Sequence, residues 1–430
     1  MAASASGCLG RHAAGRRRSL VTAASKPWRT PGNARRLDAW HPSLLRAHPN
    51  FARGRQGLAG TISGVAALRW LAADPDALLE SWPRTPPGPP PPQPDNVPFA
   101  DVITAPLGYR PQLDGLRACA VAGVLFSHFW VKESGAGHMG VRLFFVLSGY
   151  LITSILLREG LTFSFYLRRA ARLWPAFYMA LLVAWALDLD AIRWSWKWHA
   201  LQLSNVFLAR HASWLIAWPI DHLWSLNVEE QFYLVWPIVI GLTPRRFIVP
   251  LLWLVAFVAP AYRFVVTDEF LNLLPFASLD ALAAGGLLAV TSWRLGWLGL
   301  AASPLVVFGI LGDAAPWRSQ VIEIGTLLTF CALVQKASDG FTGLTGEVLG
   351  SRLMIGLGKI SYGIYLYHLF VMAAFYRFGW PYAAGAPTFL SCSITTIIIA
   401  WFSYRFVERP LREAATRATS RMVGAQPALR

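Results

Sequence analysis

Arg117 and His128 lie eleven residues apart in one apolar stretch, in the runs Leu113-Asp114-Gly115-Leu116-Arg117 and Ser127-His128-Phe129. Eleven residues make about three helical turns, so the two side chains share a face roughly 16 Å apart along the axis. The arginine could hold an anion at one end of a helix. The imidazole, the side chain best suited to take a proton from a hydroxyl near neutral pH, would then work deeper in. The competing reading is a snorkelling arginine and a histidine hydrogen-bonded within a bundle.

Three other runs carry polar groups that apolar surroundings must explain. In Asp221–Tyr233, the residues His222, Ser225 and Glu229 fall at i, i+3 and i+7 on one helical face. A carboxylate there could orient or charge-pair a histidine, as in many acid–base sites. Negative charge near a helix N-terminus is also favourable in itself. In Arg168-Arg169-Ala170-Ala171-Arg172, Arg168 and Arg172 share a face at i, i+4 and could clamp phosphates. The same cluster could serve only to orient the chain and meet lipid head groups. The Gly140–Tyr150 run offers small residues for close helix packing, with Arg142 near the end of its segment.

The surroundings of these residues are those of a membrane protein. Of 430 residues, 55% are hydrophobic and 14% charged, and the mean hydropathy is +0.41. Soluble domains carry about 25% charged residues. A bilayer span takes about 20 mostly apolar residues. Ten segments fit: 113–131, 139–157, 174–190, 223–243, 247–266, 276–292, 295–312, 319–336, 353–375 and 387–405. Residues 199–218 hold His199, Gln202, Asn205, Arg210 and His211, and read as interfacial or re-entrant. With the N-terminus in the cytoplasm, Arg158, Arg168, Arg169, Arg172, Arg245, Arg246, Arg294, Lys336, Arg405, Arg409 and Arg412 all fall on the cytoplasmic side. The expected fold is an all-α bundle of about ten transmembrane helices with both termini cytoplasmic.

Residues 1–108 form a basic Pro/Ala/Arg-rich extension that is expected to be disordered and without a catalytic role. It ends near Pro86-Pro87-Gly88-Pro89-Pro90-Pro91-Pro92. The transmembrane domain is expected over 109–412 and a basic tail over 413–430. The net charge of +16 does not indicate nucleic acid: residues 1–100 alone hold thirteen Lys/Arg against five Asp/Glu, and most of the rest flanks apolar spans. The four cysteines form no CxxC pair and no disulfide framework. There is no Walker A loop, HExxH or GxSxG elbow, and no metal site is expected.

Taken together, the runs resemble the acyltransferase-3 family of multipass membrane O-acyltransferases. Tyr109–Ala118 is similar to the family's opening, and Arg117 and His128 match its Arg-x10-His motif. Leu143–Tyr150 is similar to its LFFVLSGFL segment, Arg168–Pro175 to RRxxRxxP, and His222–Pro237 to HLWSLxVEEQFYLxWP. Lys359–His368 and Phe402–Pro410 are similar to its two C-terminal signatures. The resemblance implies an acyl-CoA co-substrate, often acetyl-CoA, and an acceptor hydroxyl on a cell-envelope or exported glycan or glycolipid. It implies a bacterial cytoplasmic (inner) membrane. Arg117, with Arg168 and Arg172, would bind the donor. His128 would be the general base or a transient acyl carrier, supported by Glu229 and His222. Three positions depart from the family: Arg142 stands where many members carry Asp, Ser278 where many carry Arg, and Phe370 where Pro is common. The Arg142 and Ser278 departures leave open an inactive member, and the intramembrane charges leave open a transporter or flippase without covalent chemistry. Some members carry a hydrolase-like domain after the last span, and the 25 residues after Arg405 are too few for one.

Overall fold

A computed structural model describes residues 108–424, apart from 133, 188–189, 215–217, 292, 312–315 and 381–384. The extension expected over 1–108 thus lies outside the described residues, except for Gly108. Among the described residues every regular element is helical. In chain order they are α1 (Pro111–Phe129), α2 (Ala136–Glu159), α3 (Phe163–Ala186), α4 (Asp190–Ala200), α5 (Ser204–His211), α6 (Leu223–Leu242) and α7 (Arg245–Val265). Two 3-10 turns lead to α8 (Leu279–Val290), α9 (Gly296–Leu311), α10 (Pro316–Asp339), α11 (Gly343–Leu349), α12 (Arg352–Lys359), α13 (Ser361–Arg377) and α14 (Ala386–Ser403). A π turn, Tyr404–Glu408, joins α14 to α15 (Arg409–Gly424).

Each of the ten predicted segments is mainly helical over its described residues. Among the described residues, four helical runs are by themselves long and apolar enough to cross a bilayer: Ala136–Glu159, Arg245–Val265, Ser319–Asp339 and Ala386–Ser420. Pro275–Val290 and Gly296–Leu311 are apolar but shorter. Two boundaries differ from expectation. The segment 353–375 is two helices, because the chain leaves helical geometry at Ile360 between α12 and α13. The third segment starts earlier, at Phe163, because Thr162 caps α3 by accepting the Phe165 N–H at 3.3 Å. That cap brings Arg168, Arg169 and Arg172 onto a helix.

Burial separates inner from outer helices. In α2, 78% of the most apolar stretch is buried inside the protein, against 17% in α7. Leu254, Phe257 and Phe264 of α7, Leu300 and Phe308 of α9, and Ile394 and Ile398 of α14 are exposed. Such faces suit lipid, where helices satisfy their own backbone and need no polar surface.

Close backbone contacts fix the inner helices. A Cβ on Gly149 of α2 would stand 1.9 Å from the Leu282 carbonyl oxygen of α8, and one on Gly285 would stand 2.1 Å from the Val146 oxygen. The α2–α8 crossing therefore requires glycine on both sides. On α1, the Asp114 oxygen would lie 1.9 Å from a Cβ on Gly358 of α12. The helix that carries both Arg117 and His128 is thereby clamped in the interior.

Candidate active site

Three imidazoles meet at one end of the bundle. His128 comes from the last turn of α1, His222 from the residue before α6, and His368 from the middle of α13. The His368 ring centroid lies 4.8 Å from that of His128 and 4.8 Å from that of His222, both edge to face. Phe129, Tyr365 and Phe370 pack around them.

Carbonyl partners assign the protons, because a carbonyl only accepts. His128 Nδ1–H donates to the Val124 oxygen at 2.9 Å, so its Nε2 keeps a lone pair. His222 Nε2–H donates to the Leu366 oxygen at 3.0 Å, which leaves Nδ1 with the lone pair. His368 Nδ1–H donates to the Tyr365 oxygen, which leaves Nε2. His222 Nδ1 and His368 Nε2 are buried and have no hydrogen-bond partner among the described residues. In its neutral form each of these three rings has one basic nitrogen available. His368 closes the Lys359–His368 run, but its spacing within α13 gives no sign of its two partners, and sequence reasoning did not single it out.

Arginines gather at the other end of α1. Arg117 of α1, Arg169 of α3 and Arg412 of α15 all act electrostatically on Arg172 of α3. The Arg169 guanidinium lies over the Tyr233 ring of α6, 4.2 Å from its centroid. Arg117 Nε and Arg169 Nε are buried without a hydrogen-bond partner among the described residues. Arg168, expected in this group, instead pairs with Glu159 at the surface, and Arg169 occupies the place beside Arg172.

Glu229 bonds a serine and a tyrosine. Its Oε1 accepts from Ser148 Oγ at 2.7 Å and its Oε2 from the Tyr233 hydroxyl at 3.1 Å, and no Glu229–histidine bond occurs among the described residues. Seven residues carry it about 10 Å along the axis from His222, toward the arginines. Ser225, one turn after His222, bonds the Tyr365 hydroxyl at 2.5 Å. Asp221, just outside α6, accepts the His222 backbone N–H at 3.0 Å, and burial pushes its carboxyl up to about 7.

Arg142 has carboxylate partners of its own. It donates to both oxygens of Asp280, at 2.8 and 2.7 Å, and its Nε lies 2.8 Å from Glu323. Arg263 joins Asp280 at 2.8 Å, and His138 contacts Glu323. The arginine at 142 is thus matched by Asp280, two residues after Ser278. Of the departures noted in the sequence, Arg142 belongs to this buried ion network, and Ser278 is buried beside it in sequence. Among the described residues no group of three or more His, Cys, Asp or Glu is placed to hold a metal.

The acyltransferase-3 family model, described as an acyltransferase domain, matches residues 110–405. The chain belongs to the acyltransferase-3 family. Among relatives of this family member are the O-acetyltransferases OatA of Staphylococcus aureus strains NCTC 8325 / PS 47, COL and N315. Each is 28% identical over a match that covers 72% of this chain and 58% of the relative. The chain therefore spans little more than half the length of these relatives. No solved structure matches the chain. The matched stretch of this acyltransferase-3 chain includes both ends of α1 and all three clustered histidines.

Proposed function

We propose that this chain is an integral membrane O-acyltransferase. It moves an acyl group, acetyl by preference, from acyl-CoA to a hydroxyl of a cell-envelope or exported glycan or glycolipid. The single observation that carries this reading is the polarity of α1. Guanidiniums with unpartnered nitrogens stand at one end, and three clustered imidazoles stand about 16 Å away at the other.

The donor's phosphates bind Arg117, Arg169 and Arg172, and its pantetheine arm runs along α1 toward the histidines. There the acceptor hydroxyl attacks the thioester carbon. The C–O bond forms, the C–S bond breaks, and the hydroxyl proton passes to His128 Nε2 and on to the departing thiolate. His222 and His368 hold the neighbouring lone pairs that receive hydroxyl protons or orient the acceptor. The ten helical segments cross a bacterial cytoplasmic membrane with both termini inside. The arginines then face the cytosolic acyl-CoA and the histidines face the outer leaflet. The transmembrane domain runs over 109–412, preceded by the basic extension and followed by the basic tail.

The test is transfer of label from radiolabelled acetyl-CoA to a membrane glycan extract by the purified chain in detergent. Wild type transfers label, whereas His128→Ala keeps acetyl-CoA binding and loses transfer by about 10²-fold or more. A folded His128→Ala variant with wild-type transfer overturns the assignment.

A further inference from the structure

We propose that Arg412, on the helix that follows the last apolar segment, is a binding residue for the phosphates of the acyl-CoA donor, an inference that rests on the donor site proposed above. Arg412 lies beyond the 110–405 stretch matched by the family model.

Five arginines lie on or beside α15, and of the four whose side chains are described, one turns inward. Arg405 and Arg417 are exposed. Arg409 pairs with Glu413 at 2.7 Å, four residues on. Arg412 is partly buried. Its Nη2 donates to the Tyr404 hydroxyl at 3.2 Å, and its guanidinium lies 5.7 Å from the Tyr404 ring centroid. It acts electrostatically on Arg172 and on Glu408.

The π turn explains the inward turn. Tyr404–Glu408 inserts an extra residue per turn between α14 and α15 and changes the register of everything after it. Glu408 becomes buried, and its Oε1 accepts from Ser403 Oγ at 3.0 Å. Ser403 in turn bonds the Tyr367 hydroxyl of α13 at 2.8 Å. Arg412, one turn further, is delivered to the Arg172 side, where α15 packs along α3. Interruptions of this kind recur at functional sites.

The positive charge of the cluster favours an anionic ligand, although Glu408 near Arg172 and Arg412 and Glu230 near Arg169 offset part of it. Arg117, Arg169, Arg172 and Arg412 converge, yet no Arg–carboxylate pair within ion-pair distance occurs among them in the described residues. Two of the four also have buried nitrogens without partners. Such a group of like charges is stabilised by a multiply charged anion, and guanidiniums match phosphate oxygens in bidentate geometry. The nucleotide end of CoA carries a diphosphate and a 3′-phosphate, enough charge for four arginines. A phospholipid head group offers the same chemistry with a single phosphate, so the experiment must separate the two.

The experiment is equilibrium binding of radiolabelled acetyl-CoA to the full chain, purified in lipid-free detergent, with melting temperature measured in parallel. Arg412→Ala is expected to weaken binding about tenfold at an unchanged melting temperature, with Arg412→Lys intermediate. Arg417→Ala removes the same charge from the exposed face of α15 and is expected to bind as wild type. Wild-type affinity in Arg412→Ala overturns the proposal and leaves a lipid phosphate as the partner of Arg412. Equal weakening in Arg417→Ala also overturns it, since a general field is then enough. Absence of acetyl-CoA binding by wild type, or full affinity in Arg172→Ala, defeats the donor site itself and this inference with it.

Discussion

The rings of His128 and His368 meet edge to face with centroids 4.8 Å apart, and both keep a nitrogen lone pair that no backbone group claims. His368 is fully buried, so a side chain with a free basic nitrogen is held there away from water. That arrangement is costly for packing alone, because a buried polar atom without a partner forfeits about 1–3 kcal/mol. His368→Ala is expected to lower acetyl transfer by about 10²-fold or more while acetyl-CoA binding stays within about twofold. Transfer at the wild-type rate in a folded variant would reduce His368 to a wall of the pocket.

The two arginines that open the Arg168–Arg172 run have different neighbours, and their variants are expected to differ. Arg168 is occupied by Glu159 at the surface. Arg169 stacks on Tyr233 and joins Arg172. Arg169→Ala is expected to weaken acetyl-CoA binding by about fivefold or more, and Arg168→Ala to change it by less than about twofold, as for a typical surface ion pair. Direct titration with acetyl-CoA decides between them, and the reverse order would restore the pairing that sequence spacing favours.

That pair shows what spacing can and cannot tell. Residues 168 and 172 share a face at i, i+4, but 169 and 172 share one at i, i+3, and the choice is made by Glu159 at the end of another helix. The helices themselves were legible, since apolar length and flanking arginines are local properties. So was the placement of Arg117 and His128 at opposite ends of one helix. The true partners of Glu229, Ser148 and Tyr233, were not, because a face shared with His222 still separates the two by about 10 Å along the axis. His368 was hidden for a related reason. Its meaning comes from α1 and the start of α6 meeting α13, a tertiary fact that no local pattern carries.

Arg142 and Asp280 form the best-matched buried ion pair described, with two parallel hydrogen bonds of 2.8 and 2.7 Å between α2 and α8. Removing one member leaves the other with a single opposite-charge partner, Arg263 for Asp280 or Glu323 for Arg142, in a buried network whose charges no longer balance. Arg142→Met or Asp280→Leu alone is expected to destabilise by about 3–5 kcal/mol. The double variant is expected to be less destabilised than the sum of the singles, because neither charge is left behind. Glu323 and Arg263 remain with opposite charges in that background, which keeps the network balanced. Chemical or thermal denaturation in detergent reads the coupling. Strict additivity would mean that the two side chains contribute independently, despite their geometry.

Outside the apolar segments, His199 supplies a pH dependence of known sign. Its Nε2 bonds Ser195 Oγ at 2.8 Å and its Nδ1 bonds Ser204 Oγ at 2.7 Å. No carboxylate is among these partners, and burial alone pushes its value from 6.5 down to about 4. Between those values the unfolded chain binds a proton that the folded chain refuses. Stability from this residue is therefore fully present above about 6.5 and is lost as the pH falls toward 4, with a limiting slope of about 1.4 kcal/mol per pH unit. His199→Gln keeps a hydrogen-bonding side chain but cannot titrate. The wild type is expected to melt higher than this variant at pH 8, and the gap is expected to narrow steadily below about pH 6.5. Melting curves in detergent from pH 5 to pH 8 measure that gap directly. A gap that stays constant with pH would show that the folded protein accepts the proton as readily as the unfolded chain, so that the buried Ser195–His199–Ser204 chain tolerates a charge.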